Sequence, residues 1–490
     1  MNLSDLTIQS AHELLKAKKV SVRELLDASL ARIKQVDEKV HAFLLVTETE
    51  AVKQADRAQE RFDNNENVNP LLGIPMAHKD VFCTEGIETT AASNILKGYI
   101  PPYSSTVVKK LEKAGSVMVG KVNLDAFAHG ASTENSDFGA SKNPYDTTRV
   151  PGGSSGGSAV AVASGETLFA TGTDTGGSIR LPAAFTNTVG LKPTYGRVSR
   201  YGVIAMASST DCPSPIAKNV TDCALVLQAM AGHDPQDATS SQRPVPDYTK
   251  FLGKSVKGMK IGVPKEFFVS GLDSKVENLT REALKKFEEL GASVDEVSLP
   301  SLDYALAAYY IIQPSEVSSN LARFDGIRYG YSVERDDKYK AKSLYDVYAK
   351  SRSAGFGAEA KRRIMLGTYT LSAGYYDAYY KKAQAVRELI KKDFQEVFGK
   401  YDFVMGPVSP TLPFKLGQKS DDPMAMYLAD VYTTSMSLAG VPAISVPCGF
   451  VGNLPVGLQI TASHFEEGKL IQAAHAYEQA SEHYKKRPGI

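Results

Sequence analysis

The chain has 490 residues, of which 43% are hydrophobic and 23% charged, and its formal net charge is +1. This composition is typical of a globular protein with a large core. The balanced charge counts against a protein that grips nucleic acid by itself, because phosphate binding requires clustered Lys and Arg. The length allows about three domains or one large α/β unit.

Two kinds of segment are missing from the sequence. It contains neither a run of about 18 apolar residues nor an apolar stretch at the N-terminus, so we expect a cytoplasmic protein without membrane contact. The cysteines form no C-x-x-C pair and the histidines form no H-E-x-x-H motif. We therefore expect no disulfide framework, no metal site and no cofactor in this chain.

Residues from about 7 to 63 follow a helical pattern. Ser21 and Glu24 have the spacing of a capping box, which predicts the start of a helix. The apolar residues that recur on one face of this helix are Val22, Leu25, Leu26, Leu30 and Ile33. We predict that residues 1–64 form an N-terminal helical segment packed on the core.

An unusual lysine follows in the apolar stretch 71–83. Lys79 could extend its ammonium group into water along an apolar surface. Alternatively it is a buried amine with a depressed pKa. At an unperturbed pKa of about 10.4 only about one lysine in 2,500 is neutral at pH 7, and a decrease of about three units recovers most of that factor. On a strand, Lys79 and Asp80 would point to opposite faces, so Asp80 need not pair with the amine.

Four glycines and three serines occur in the run 152–158, just before a small apolar segment. An isolated run of this kind is often a linker, but apolar residues on both sides favour a rigid turn inside the core. A phosphate-binding loop would require a Lys after Gly157, and none is present. The pattern G-x-S-x-G around Ser155 matches the nucleophile elbow of α/β-hydrolases, although a polar segment with two prolines precedes it instead of a strand.

A second glycine and serine run, 173–180, lies about twenty residues later. A serine in such a run can be a nucleophile whose neighbouring backbone N–H groups stabilise an oxyanion. This third interpretation requires a base, and Lys79 is the candidate that the sequence offers.

The rest of the chain alternates between helices and strands. A helix start is predicted at Asn219, strands at 259–263 and 293–297, and a helix from about 280 to 290 between them. Long helical segments continue to about residue 398. Apolar strands return at 403–405, 443–446 and 456–460. Strands this apolar predict an α/β fold with a central sheet covered by helices on both faces.

The two runs, together with the upstream Lys79-Asp80, resemble the amidase signature family of serine hydrolases with a Ser-Ser-Lys triad. Three further segments, 190–200, 323–330 and 374–380, are similar to one branch of this family, the glutaminase A subunits of aspartyl/glutamyl-tRNA(Asn/Gln) amidotransferases. The resemblance extends over nearly the whole chain. It implies a single large amidase signature domain over residues 65–490, with the central sheet mixed and the catalytic core at about 65–225.

The resemblance also implies a catalytic role for each matching residue. Ser178 would be the nucleophile, and Ser154, preceded by a cis peptide bond in the family, would connect it to Lys79. Neutral Lys79 would receive the proton and later return it to the departing ammonia. The oxyanion would be held by backbone N–H groups in the turn that contains Thr175, Gly176, Gly177 and Ser178.

Substrate binding is implied in the same way. In the family an Arg binds the α-carboxylate of glutamine and an Asp binds its α-amino group, which suits the bidentate geometry of Arg. The matching residues are Arg363 and Asp430, and spacing alone leaves Arg362 as an alternative to Arg363. Tyr309 is expected to line the same pocket.

The resemblance implies a glutamine amidohydrolase within a heterotrimer. Its ammonia would be used by a partner subunit, with ATP and magnesium bound there, to amidate misacylated Glu-tRNA(Gln), Asp-tRNA(Asn) or both. The tRNA would be held mainly by that partner. The alternative is a stand-alone amidase that hydrolyses small or aryl amides, and an esterase using Ser155 is a more distant possibility.

The sequence departs from the family pattern at a few positions. The usual Asp-Gln-x-Gly-Pro is replaced by the segment 211–215, a usual Gln is Leu181, and a usual Ala before Pro314 is Gln313. We expect these residues to lie close to the catalytic motifs, where they would change the shape of the pocket.

Overall fold

The fold is known from a computed structural model, which describes residues 3–64, 66 and 69–490. Within these ranges eleven strands form one mixed sheet in the order β1-β3-β2-β4-β6-β5-β10-β11-β9-β7-β8. The strands are β1 (Phe43–Val46), β2 (Pro75–Lys79), β3 (Val117–Val122), β4 (Phe169–Thr173), β5 (Val189–Lys192), β6 (Pro213–Ala217), β7 (Lys260–Pro264), β8 (Ser293–Val297), β9 (Phe403–Pro407), β10 (Ala443–Val451) and β11 (Leu454–Ala462).

Fifteen α-helices surround this sheet in the described part of the chain. They are α1 (Ile8–Lys16), α2 (Val22–Val40), α3 (Glu48–Asp63), α4 (Thr106–Lys113), α5 (Gly156–Ala163), α6 (Arg180–Phe185), α7 (Val220–Met230), α8 (Ser274–Glu289), α9 (Ala305–Asn320), α10 (Leu344–Gly355), α11 (Ala358–Leu371), α12 (Lys382–Phe398), α13 (Pro423–Tyr427), α14 (Thr434–Ala439) and α15 (Glu467–Ser481).

The centre of the sheet is covered on both sides. Every residue of β2, β3, β4, β5 and β6 is buried. Because successive side chains of a strand point to opposite faces, complete burial requires cover on both faces. The predicted α/β fold with a central mixed sheet is confirmed. The sheet also places β2, which ends at Lys79, between β3 and β4 in parallel pairing with both.

The N-terminal segment contains the predicted helix and one element that the sequence analysis missed. Ser21 caps α2 and forms the expected capping box with Glu24, and the predicted apolar face of α2 is buried. Between α2 and α3, however, β1 pairs antiparallel with β3, with Phe43 opposite Val122. Four residues are too short for an alternating pattern to be recognised. The division of the chain at residue 64 remains a prediction.

The later strands begin within two residues of their predicted starts, whereas α8 begins at Ser274, six residues before the predicted start of this helix. The side chain of Asn219 caps α7 by accepting a hydrogen bond from the N–H of Asp222. Strands β7 and β8 run parallel on either side of α8 in sequence, and β9, β10 and β11 complete the sheet. The two glycine runs lie in loops and turns next to the fully buried central strands of the sheet.

Candidate active site

Lys79 lies at the end of β2 and has no exposed surface. Its Nζ contacts three hydroxyl oxygens, those of Ser154 at 2.8 Å, Ser155 at 2.8 Å and Thr173 at 2.9 Å. Burial lowers the pKa of Lys79 from 10.5 to about 7, although the negative charge of nearby carboxylates acts in the opposite direction. The amine is therefore partly neutral near neutral pH, as a general base must be.

The carboxylate next to Lys79 in sequence does not pair with it. Asp80 Oδ1 lies 2.9 Å from the ammonium of Lys121, and Asp80 Oδ2 accepts hydrogen bonds from the N–H and hydroxyl of Thr90. This is the separation predicted for adjacent residues at the end of a strand. An ion pair between Lys79 and Asp80 would have kept the amine protonated.

The first glycine run holds Ser154 against Lys79. The peptide bond between Gly153 and Ser154 is cis. A side chain on Gly153 would meet the carboxylate of Asp125 at 2.2 Å. That carboxylate in turn accepts hydrogen bonds from the backbone N–H groups of Thr133 at 2.8 Å and Asn135 at 3.0 Å. The run is thus packed tightly against a second loop and is not a linker.

Ser155, the nucleophile of the alternative esterase, does not lie in a strand-turn-helix elbow. It precedes α5 directly, and residues 143–153 contain no strand. Its hydroxyl is fully buried, lies next to Lys79 Nζ and donates a hydrogen bond to the carbonyl oxygen of Thr173 at 3.2 Å. Ser155 therefore has no exposed surface that a substrate carbonyl could contact.

The second run places Ser178 in a tight turn after β4. The Ser178 carbonyl accepts a hydrogen bond from the N–H of Ser155 at 3.2 Å, which joins the two runs. Among the described residues, the Ser178 hydroxyl has no hydrogen-bond partner, and the same is true of the backbone N–H groups of Thr175, Gly176, Gly177 and Ser178. Such donors in a nearly buried turn are suited to an oxyanion.

Two neighbours explain why this turn requires glycine. A side chain on Gly176 would lie 2.5 Å from the ring of Tyr309, and one on Gly177 would lie 2.3 Å from Oγ1 of Thr433. Gly177 also has a φ of +146°. The Thr433 hydroxyl donates a hydrogen bond to the carbonyl of Gly176 at 2.6 Å. The turn is therefore enclosed by α9 and by the segment before α14.

An ion pair that the sequence analysis missed fixes the same turn. Arg180 and Asp174 are fully buried, with Arg180 Nη2 2.8 Å from Asp174 Oδ1 and Nε 2.9 Å from Oδ2. Arg180 Nη1 also donates a hydrogen bond to Gln459 on β11. The sequence does show opposite charges six residues apart, one on each side of the glycines. They pair only because the turn brings them together, so the sequence alone did not predict the ion pair.

Of the three predicted substrate residues, Arg363 lines a cavity, and Asp430 and Tyr309 lie next to Tyr310, which also lines it. A cavity of about 100 Å³ is lined by residues that include Tyr310, Arg363 and Tyr427. Asp430 is buried and accepts a hydrogen bond from the Tyr310 hydroxyl at 2.9 Å, and burial raises its pKa to about 7. The ring of Tyr309, the residue before Tyr310, lies against Gly176 of the turn.

Burial separates the two candidate arginines. Arg363 is almost completely buried, whereas the Arg362 side chain is 42% exposed and pairs with Glu359. The rings of Tyr310 and Tyr427 stack on each other with centroids 4.0 Å apart, and the guanidinium of Arg363 lies beside this pair, 4.9 Å from each centroid. Both arginines line the cavity, but only Arg363 of the two is buried and lies beside the two tyrosine rings.

The departures from the family pattern are close to these residues. The carbonyl oxygen of the Gln313 side chain accepts a hydrogen bond from Arg363. The carbonyl oxygen of Cys212, in the segment 211–215, accepts a hydrogen bond from the N–H of Asp174 at 2.9 Å, and the N–H of Leu181 donates to the carbonyl oxygen of Gly177 at 2.8 Å. The expectation that they lie near the catalytic motifs is confirmed.

Comparison with known proteins agrees with this geometry. The model of the family described as Amidase matches residues 24–471. The chain belongs to this family. This amidase is 54% identical over 488 residues to the A subunit of glutamyl-tRNA(Gln) amidotransferase from Geobacillus kaustophilus, with 100% of each chain covered. The crystal structure of the corresponding A subunit from Thermotoga maritima matches it with a TM-score of 0.81 at 42% identity, covering 98% of this chain and 96% of that one.

A bacterial aryl acylamidase of the amidase signature family is also similar in structure. Its TM-score is 0.86 at 26% identity, and 99% of each chain is covered. The fold of the amidase is thus shared by enzymes with different substrates, so the substrate class has to be inferred from the residues of the pocket. Among the residues that the structure describes, no group of His, Cys, Asp and Glu is arranged to hold a metal ion, and no helix is long and apolar enough to cross a bilayer.

Proposed function

We propose that this amidase is the glutaminase subunit of a tRNA-dependent amidotransferase. The observation that carries the proposal is the combination at one site of a buried, partly neutral Lys79, a turn of unpartnered N–H groups at Ser178, and the opposite charges of Arg363 and Asp430. The first two features suit amide hydrolysis, and the third suits an amino acid with an α-carboxylate and an α-amino group.

The reaction begins at the side-chain amide of glutamine. Ser178 Oγ attacks the carbonyl carbon as its proton passes through Ser154 Oγ to neutral Lys79, which lies 2.8 Å from Ser154 Oγ. The N–H groups of Gly176 and Gly177 are among those that stabilise the oxyanion. Lys79 then returns the proton to the departing nitrogen, and ammonia leaves. Water hydrolyses the acyl-enzyme by the same route in reverse and releases glutamate.

The pocket orients the substrate by its charges. Arg363 would bind the α-carboxylate, and Asp430 would bind the α-ammonium group. A substrate ammonium beside Asp430 would compensate for the burial that raises its pKa to about 7 and would keep it ionised. Tyr309 would pack beside the substrate chain next to Gly176.

The names of the relatives support a role within a larger enzyme. Proteins 54% and 53% identical over the full chain are named as the A subunit of glutamyl-tRNA(Gln) amidotransferase. We propose two partner subunits, one of which uses ATP and magnesium to amidate Glu-tRNA(Gln), Asp-tRNA(Asn) or both. The net charge of +1 suits an arrangement in which the misacylated tRNA is held mainly by that partner, in the cytoplasm.

The pocket disfavours the stand-alone aryl amidase. An aryl amide would leave the carboxylate of Asp430 without an ammonium group from the substrate, and Arg363, whose Nε already pairs with Glu359, without an acceptor for its Nη2. Buried polar groups without partners are costly, so such a substrate would bind weakly.

The test is a co-purification from the natural host, followed by an activity assay. The tagged chain is purified with its associated proteins, and ammonia release from glutamine is measured with and without ATP and aminoacylated tRNA. We expect two co-purifying proteins and a rate that rises with both additions, with Ser178→Ala as the matched inactive control. A chain that purifies alone and hydrolyses simple amides at a rate independent of tRNA would refute the proposal.

A further inference from the structure

The guanidinium group of Arg363 is held on three sides by the protein. Its Nε donates to Glu359 at 2.7 Å, its Nη1 donates to the side chain of Gln313, and it packs beside the stacked rings of Tyr310 and Tyr427. Tyr427 also donates a hydrogen bond to Glu359, at 3.1 Å. Of the three guanidinium nitrogens, only Nη2 has no hydrogen-bond partner in the described part of the chain. One edge of Arg363 is therefore left for a ligand.

Gln313 has an unsatisfied donor at the same place. A guanidinium group contains only donors, so the Gln313 carbonyl oxygen must face Arg363, and the amide nitrogen Nε2 points elsewhere. Gln313 is 1% exposed, and its Nε2 finds no acceptor among the residues that the structure describes. A buried amide N–H without an acceptor is destabilising, and native proteins rarely retain one without a purpose.

The helix α9 gives Gln313 a defined position relative to the pocket. Tyr309 and Tyr310 lie one turn earlier on α9. Tyr309 borders the oxyanion turn at Gly176, and the Tyr310 hydroxyl donates a hydrogen bond to Asp430. Residues three and four positions apart share a face of a helix, so Gln313 lies on the face that carries both pocket tyrosines. Pro314 follows directly and is also buried.

We propose that Gln313 is a specificity-determining residue that fixes the orientation of Arg363 and donates a hydrogen bond from Nε2 to the α-carboxylate of the substrate. The inference rests on the proposed function, because it assumes that Arg363 binds this carboxylate. One carboxylate oxygen would accept from Arg363 Nη2 and the other from Gln313 Nε2. A substrate without the carboxylate would leave both donors unsatisfied.

The test compares two amides in the assembled enzyme. Glutamine carries the α-carboxylate, and 4-aminobutanamide is the same molecule without it. For Gln313→Met we expect the KM for glutamine to rise about 10- to 100-fold, the effect of losing one buried hydrogen bond to a charged group, with kcat within about twofold. The kcat/KM for 4-aminobutanamide should stay within about twofold of the parent value.

Two further variants make the result specific. Gln313→Glu preserves the shape of the side chain but places a carboxylate against Arg363, so the KM for glutamine should rise more than in Gln313→Met. Gln472→Met removes a buried glutamine of α15 that donates to the carbonyl of Ser255 at 2.6 Å, far along the chain from the pocket, and should leave both substrates unaffected.

The possible outcomes separate this inference from the proposed function. A parent enzyme that prefers glutamine, combined with Gln313 variants whose KM for glutamine is unchanged, would overturn the role of Gln313 alone. Equal losses for both substrates would also overturn it, because they indicate a structural effect. A parent enzyme that does not prefer glutamine to 4-aminobutanamide would refute the carboxylate site and the proposed function together.

Discussion

Replacing Lys79 by Met should abolish amide hydrolysis and, at pH 7, slightly stabilise the fold. Methionine has nearly the same length as lysine and fills the same space without a charge. Lys79 is fully buried, and burial lowers its pKa from 10.5 to about 7. A lowered amine pKa means that the folded state binds the proton less tightly than the unfolded state, so the lysine destabilises the protein.

The magnitude follows from the size of the pKa change. Each pKa unit corresponds to about 1.4 kcal/mol, so Lys79 costs about 4 kcal/mol of folding free energy at pH 7. Between pH 7 and pH 10.5 the unfolded chain retains this proton while the folded chain has lost it, so the folded parent gains stability as the pH rises. The cost therefore decreases to about 2 kcal/mol at pH 9.

The methionine variant lacks this dependence on pH. It also loses the hydrogen bonds from Nζ to Ser154, Ser155 and Thr173. At about 1 kcal/mol net for each bond, this loss reduces the gain in stability at pH 7 but does not change with pH. The difference between the two proteins should thus decrease by about 1 kcal/mol for each pH unit between pH 7 and pH 9.

The assay is urea unfolding of both proteins at pH 7, 8 and 9, followed by far-UV circular dichroism because the chain contains no tryptophan. Other titrating groups are common to both proteins and cancel in the difference between them. A difference in stability that stays constant over this pH range would mean that Lys79 is fully charged in the folded protein. The assignment of Lys79 as a base would then be wrong.

Three further predictions concern the nucleophile, the oxyanion turn and the pocket. Ser178→Ala should abolish ammonia release from glutamine, and an active Ser178→Ala enzyme that loses activity on Ser155→Ala would instead identify Ser155 as the nucleophile. Gly176→Ala should lower kcat at least about tenfold, because the new methyl group would lie 2.5 Å from Tyr309, and Tyr309→Leu in the same chain should restore part of the rate. Asp430→Asn should raise the KM for glutamine and remove from the pH profile of kcat/KM a group that titrates near pH 7 and must be ionised for binding. A profile that keeps the same shape in the variant would contradict that role.

Much of the fold could be predicted from the sequence because its signals are local. The capping box at Ser21, the cap at Asn219 and the apolar strands each depend on a few neighbouring residues. Strand β1 could not be predicted, because its four residues gain their hydrogen bonds from β3, more than seventy residues later. Short strands that depend on distant partners have no local signature.

The candidate site was predictable to the extent that its chemistry is encoded in motifs. Lys79 and the two glycine runs stood out because a buried cation and repeated glycines are unusual in any sequence. Contacts between distant segments were not predictable. Examples are the hydrogen bond from Arg363 on α11 to Gln313 on α9, and the hydrogen bond from Thr433 to the carbonyl of Gly176. Spacing also could not separate Arg362 from Arg363, whereas burial separates them at once.

The site must keep Lys79 deprotonated although three carboxylates lie near it. Asp125, Asp174 and Asp211 all act to raise the pKa of Lys79, yet none is within hydrogen-bond distance of its amine. Each is occupied elsewhere: Asp174 by Arg180, Asp125 by the N–H groups of its loop, and Asp211 by the Thr175 hydroxyl and two backbone N–H groups. Because these carboxylates are held by other donors, Nζ is surrounded by hydroxyl groups alone, and desolvation dominates. The same carboxylates fix the loops around Ser154 and Ser178, so the contacts that position the two serines also leave the lysine amine free to lose its proton.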